Sequence, residues 1–600
     1  MDAISLAELE RAQPLEPDGT ILEANLAALA QVAPPELAER LRATRLPDHW
    51  RPVRALDGAP TWRIEPPGNP AEWLDHTAAP RSRAGGLLRL ADLSAANPAL
   101  PSAGSGALVA LLLERLAAHR AVYVFEDDLV RLRAVLSIYD LAGDLCGSRC
   151  IIVAGPDEPD TLRALLERHP GLLPPGSILP MPHVERRRVL AVQRTCETVA
   201  REVAGRRQQR LSELAGRLRA AAGPQPRLAI VSLDGDKAHH ALARELAVAA
   251  EALGWPSVCC ARVDPLSADP LRHCQRLAEL DPTLTICVGH SPTELPLRPA
   301  GRLCRWHVDP ARLGPSGDPP ETIHLAGSPD IARRLAESGR KPVVGFYFGC
   351  DDQAAAAPPP SALEPAVVIV ADLPDTSVEA CRIDQPTHKQ LWAELAGRVA
   401  AAVHSPDICR PLSLLSAAEK RSGVVLRDKG LRANMLRLLE HVLIPAVVAE
   451  TIYRWCFESD IAVRVVGRGW RRIIPDRSQI VATGFADFFA DPRPAATPIV
   501  MPTLPGALRP QVLHAGLSGR PLLLHDPASG LSSALARVLQ PTQHYLPFAN
   551  RKELSAALRS VFDQPQAALR RAAQARAHLL ARHTWRHRLR ELIAALGQQS

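Results

Sequence analysis

With 600 residues, 46% of them hydrophobic and 22% charged, the chain is long enough for about three or four domains and too apolar for a disordered class. Its net charge of +7 is spread along the chain with acids among the arginines, and no basic run carries stacking aromatics. That excludes nucleic acid as an expected partner while leaving phosphate-bearing ligands easy to accommodate.

The acidic N-terminus has no basic flank before an apolar core, and no apolar run approaches the ~20 residues of a membrane span. The twelve cysteines contain no Cys-x-x-Cys pair. A cytoplasmic, reduced protein with no integral membrane segment is expected. Residues 1–95 read as a helical and irregular extension, with apolar positions at helical spacing over Ile21–Thr44. Residues 96–225 read as a Rossmann-like α/β unit and a helical connector. Gly104-Ser-Gly106 opens an apolar helix, and a strand Ala121–Phe125 ends in Glu126-Asp-Asp128. Further strands are predicted at Cys150–Ala154 and Ile178–Met181. Gly-x-Gly, a helix and a strand ending in an acid outline a nucleotide site in which the acid would bond a ribose. No first strand is predicted before Gly104, because Leu93–Leu100 holds Asn97 and Pro98. The unit is therefore expected to be degenerate. It looks similar to the methyltransferase-like region of motility-accessory (Maf-type) proteins, which would make S-adenosylmethionine its ligand.

An Arg-rich amphipathic stretch over 190–222 leads, past Pro224 and Pro226, to a second α/β domain, 227–352. Its strands are expected at Arg227–Leu233, Ser257–Arg262, Leu284–Val288, Gly301–Trp306 and Thr322–Ala326. Asp234-Gly-Asp236 has the form of a metal-binding Asp-x-Asp but equally that of a turn. His290, His307 and Asp309 stand at strand ends, where a general base for an acceptor hydroxyl would sit. Gln353–Pro365, with Ala-Ala-Ala-Ala-Pro-Pro-Pro inside it, is a stiff linker.

The last domain, 365–600, alternates short strands and helices, the pattern of a parallel sheet. Arg427-Asp-Lys429-Gly430 is either a diphosphate-binding pair or solvated helical charge. Gly467 and Gly469 would let backbone approach a ligand. Arg509 stands at a helix start after the turn Thr503–Gly506, and Gly530 opens the next helix; such N-termini favour anions. Gly519 suits a left-handed helix stop, and Asn550 with Glu553 forms a capping box. His583 and His587 have zinc-like spacing, but no third ligand is evident, so no metal is expected.

Three pieces carry a family likeness: Val465-Val-Gly-Arg-Gly-Trp470, Leu508-Arg-Pro-Gln-Val-Leu-His-Ala-Gly-Leu-Ser-Gly519 and His583-Thr-Trp-Arg-His-Arg588. They resemble the C-terminal domain of GT-B glycosyltransferases, most closely the CgeB-type (spore-maturation-like) branch. The Trp306-His-Val-Asp-Pro310 element extends the likeness over roughly residues 227–595. It implies an α/β fold: a GT-B-like pair of Rossmann-type domains behind the N-terminal extension. It implies a glycosyltransferase moving a sugar from a nucleotide-sugar, as co-substrate and with no cofactor, to a glycan, lipid-linked or protein acceptor. Arg509, His514, Gly519, Gly467, Gly469, Trp470 and Gly530 would bind the donor, and Asp309, His307 or His290 would supply the base. Where relatives carry a glutamate that grips the donor ribose, this chain has His514, which implies altered or lost donor binding there. A non-catalytic GT-B-like scaffold and a fused methyltransferase-like domain are the alternative readings.

Overall fold

The computed structural model describes residues 12–598 except 17–18, 92, 94–95, 156, 219–224, 234–235, 296, 310–312, 314–316, 352–358, 460, 475–478, 482–487, 490–494, 503–509, 528–532 and 537. The chain divides into two compact units, Met1–Arg244 with Pro256–Leu303 and Glu245–Trp255 with Cys304–Ser600.

The first unit opens with helices Gly19–Val32 and Pro35–Ala43. The stretch read as irregular is instead an antiparallel sheet of Gln13–Pro14, Trp50–Arg54, Pro60–Ile64 and Glu72–Trp73. Its central pair turns through Gly58, at φ 77°. Trp62 anchors this sheet, donating its indole N–H to Ala134 O at 2.9 Å from a fully buried position.

The missing first strand before Gly104 is present, which corrects the expectation above. Asn97–Leu100 is wholly buried and pairs in parallel with Val122–Glu126 on one side and Pro175–Ile178 on the other. Pro98 is tolerated because the pairing with Pro175–Ile178 shifts register between Asn97 and Pro98, so the missing N–H falls at an irregularity. Asn97 compensates with its side chain, which accepts from Arg120 Nε at 2.9 Å and Ala121 N at 3.2 Å and donates to Leu173 O at 3.0 Å. With Cys150–Ala154 the sheet runs 3-2-1-4, all parallel. Val122 and Val124 face one hydrophobic cluster while Tyr123 and Phe125 face another, so both faces are covered. The unit ends with parallel strands Ser257–Ala261, Leu228–Ser232 and Leu284–Val288, in that order.

In the second unit, Arg302–His307, Ile323–Ala326 and Val343–Gly345 lie side by side in parallel. A second parallel sheet orders Ile480–Val481, Ala462–Val466, Ala366–Val370, Ile499–Pro502, Leu522–His525 and Leu546–Phe548, which is 3-2-1-4-5-6 in chain order. That is the doubly wound Rossmann arrangement. The strands are short and nearly all apolar because helices cover both faces. The fold class is thus α/β, with parallel sheets in Rossmann-like bodies. Among the described residues no helix is long and apolar enough to cross a membrane.

Candidate functional site

Strand order in the C-terminal sheet reverses between Ala366–Val370 and Ile499–Pro502. Open α/β sheets take ligands beyond the strands' C-terminal ends at such a point. Arg509, Gly530 and the turn 503–506 lie outside the described residues. Gly467 and Gly469 follow Ala462–Val466 with φ of 133° and 89°. A Cβ on Gly467 would meet the Ala371 carbonyl and one on Gly469 the Leu373 carbonyl, so the chain's own 371–373 segment accounts for both glycines. Trp470 is fully buried and donates its indole N–H to Ala371 O at 2.7 Å. Together the three fix the backbone that leaves Ala366–Val370. Gly519 ends helix Pro510–Leu517 at φ 70°, as its position predicts.

His514, on that helix, meets two groups. Its ring stands edge-on to Phe489 at 6.3 Å, and its Nε2 lies 3.9 Å from Glu245 Oε1. The other oxygen of Glu245 accepts the Trp585 indole N–H at 2.6 Å. Trp585 is fully buried against Trp306 and Phe346, and Gly349 leaves no room beside it for a Cβ. Main-chain bonds from Cys350 N to His583 O and from Trp585 N to Cys350 O, at 2.9 and 3.0 Å, tie the closing segment to residues 349–350. His583 and His587 are structural in this geometry. Arg588 Nη2 donates to His583 Nδ1 at 2.6 Å, which leaves the proton on Nε2, 3.3 Å from His578 Nε2. His587 Nδ1 pairs with Thr584 Oγ1 at 2.7 Å.

The three predicted base candidates differ sharply in surroundings. His290, in the first unit, is buried and points its Nδ1 at Val288 O, 3.0 Å away. His307 is buried against His324, with Nε2 to Nδ1 at 3.0 Å. Burial, reinforced by Arg305, pushes its imidazole down to about 3. A base that weak cannot hold an acceptor's proton near neutral pH. Asp309, two residues past its strand, is half-buried with Oδ1 3.8 Å from His441 Nε2. The same nitrogen lies 3.9 Å from Glu440 Oε2. Burial raises the Glu440 carboxyl; Arg334 opposes the rise, and Asp330 and Asp309 add to it. Glu440 and His441 belong to a π-helical turn, Leu439–Leu443, a deformation that often marks functional positions. This histidine between two carboxylates escaped sequence reading: His441 sits inside an apolar helical run, and nothing in its spacing announces the π turn.

Elsewhere the structure favours the plainer alternatives. Asp234 and Gly235 lie outside the described residues, while Asp236 Oδ1 accepts from Ala238 N at 2.9 Å, as in a turn or helix start. Asp428 caps helix Lys429–Leu438 through Leu431 N at 2.7 Å, leaving Arg427 and Lys429 as exposed flanking charges. No group of three metal-ligating side chains occurs among the described residues.

Residues 448–594 match the family model described as glycosyl transferase-like, which marks this part of the chain as a glycosyltransferase enzyme domain. No curated protein matches the sequence. Among solved structures, sucrose-phosphate synthase from Thermosynechococcus elongatus aligns at 11% identity and a TM-score of 0.37, covering 63% of this chain and 100% of that one. Anabaena Alr3699/HepE, in complex with UDP and glucose, aligns at 11% identity and 0.32, over 62% and 100%. MAf glycosyltransferase from Magnetospirillum magneticum AMB-1 aligns at 13% identity and 0.23, over 57% and 58%.

Proposed function

We propose that the protein transfers a sugar from a nucleotide-sugar to a glycan, lipid-linked or protein acceptor, as a member of the CgeB-type branch of GT-B enzymes. The observation that carries the reading is the glycosyl transferase-like match over residues 448–594, which includes Ile499–Pro502, the second of the two strands at the strand-order reversal. In this reading the diphosphate lies beyond Ile499–Pro502 and is bound by Arg509 and Gly530, while Gly467, Gly469 and Trp470 fix the backbone that leaves the neighbouring strand. Gly519 ends the helix that follows, and His514 lies on that helix against Phe489.

Asp309 takes the acceptor proton, and His441 orients it and spreads the charge. Hydrogen bonds of this kind are often long before substrate arrives and tighten in the reacting complex, so 3.8 Å is compatible with the role. Twelve free thiols support a reducing cytoplasmic setting. A non-catalytic relative is the second reading, favoured by the fact that the protein's own backbone accounts for Gly467 and Gly469.

The test is a thermal-shift panel of UDP-, GDP-, ADP- and CMP-sugars, followed by donor turnover with the stabilising compound. A ligand at about 100 times its Kd adds about 2.7 kcal/mol of stability, an easily seen rise. A rise that Arg509→Ala abolishes, with turnover lost in Asp309→Asn, supports the transferase. Binding without turnover favours the scaffold, and no binding to any nucleotide removes the donor site from the reading.

A further inference from the structure

We infer that the glycine loop of the first Rossmann-like sheet is filled by the protein's own side chains and takes no nucleotide cofactor. The sheet has the architecture of a ligand site. Its strand order reverses between Asn97–Leu100 and Pro175–Ile178, and Gly104 and Gly106 follow the first of these with φ of 55° and 87°. A nucleotide would lie at that reversal, against the glycines.

The space is occupied. A Cβ on Gly104 would come within 2.7 Å of Met181 Cε, 2.8 Å of Asp75 Oδ2 and 3.4 Å of His183 Cε1. A Cβ on Gly106 would reach the Tyr139 ring at 2.6 Å and Val135 at 2.9 Å. Met181 and His183 come from the segment after the second switch-point strand, and Asp75 from a turn that ends the N-terminal antiparallel sheet. The glycines therefore serve internal packing. Asp75 is held over the loop by Arg131, whose Nη1 donates to Oδ1 at 2.6 Å; His183 Nε2 lies 3.3 Å from the same oxygen. Arg83 also donates to the Asp75 carbonyl, at 2.9 Å. Asp75 and His76 are both left-handed, at φ 61° and 53°, a strained pair kept in place by these contacts.

The acid expected to bond a ribose is also committed. Glu126 is buried, accepting from Ser102 Oγ at 2.7 Å, Ala103 N at 2.9 Å and Asp128 N at 3.1 Å. Its carboxylate thus ties the second strand to the glycine loop. Arg188 adds a further tie, with Nε donating to Pro101 O at 3.2 Å and Nη1 to Glu158 at 2.9 Å.

Two measurements on the full-length protein test the inference. Equilibrium dialysis with S-adenosylmethionine and with NAD is expected to show no retention at 1:1 stoichiometry up to about ten times the millimolar Kd of a weak site. Saturable binding of either compound that Glu126→Gln weakens overturns the inference. The second measurement compares Gly104→Ala with Gly58→Ala. Both positions have positive φ and share its cost, but a Cβ at Gly58 meets nothing within 4 Å. Gly104→Ala is expected to lower the midpoint of thermal unfolding by at least about 3 °C more than Gly58→Ala. Equal shifts would mean that the loop has room to spare, and would equally overturn the inference.

Discussion

Two buried residues and one half-buried one show how surroundings decide function at the smallest scale. His307 and Asp309 are two positions apart, yet only Asp309 faces His441. Asp309→Asn is predicted to lower kcat by about 10²–10⁴-fold with little change in KM for the donor, read in steady-state assays. His307→Gln, lacking a usable base to begin with, is predicted to leave the pH profile of kcat unmoved. Trp585 shows the other extreme. It is 1% exposed and edge-on to Trp306 at 5.8 Å. Truncation to Ala is predicted to cost about 3–5 kcal/mol in chemical denaturation, while Phe, which keeps most of the ring surface but loses the bond to Glu245, costs less.

At the scale of elements, local chemistry was well signalled in the sequence. Asn550 Oδ1 accepts from Glu553 N at 3.1 Å, so half of the predicted capping box forms; Glu553 Oε2 accepts from Ala549 N at 2.7 Å and not from Asn550 N, so the reciprocal half does not. Asn550→Ala is predicted to destabilise helix Arg551–Asp563 by about 1 kcal/mol, measured by denaturant titration. Strands hidden by proline were not legible, because a register shift that excuses Pro98 depends on a partner some eighty residues away. The π turn at Leu439–Leu443 was invisible for a similar reason: packing decides it, and neither propensity nor periodicity reports it. The closing helices carry a pH dependence. Burial pushes His583 down to about 4, with Arg588 and neighbouring imidazoles adding to the fall. A histidine depressed in the folded state contributes stability that is full above its unfolded value, near 6.5, and is lost as pH falls from there through 4. The unfolding midpoint is predicted to drop between pH 7 and pH 5, with the slope reduced in His583→Gln.

For the molecule as a whole, the sequence signalled α/β bodies and the importance of the last hundred residues. It did not signal that Glu245 would join them, since a carboxylate on a helix 340 residues from its indole partner has no local mark. Deleting residues 583–600 removes Trp585 and the main-chain bonds to Cys350, and is predicted to expose the second unit to limited proteolysis. The long reach has a consequence in time. Chains are made at about 5–20 residues per second, so Glu245 waits roughly 17–70 s for residue 585 to be synthesised. From the time they are made until residue 585 follows, Trp306 and Phe346 lack the Trp585 ring that packs on them, leaving an apolar surface for chaperones to shield in the growing chain.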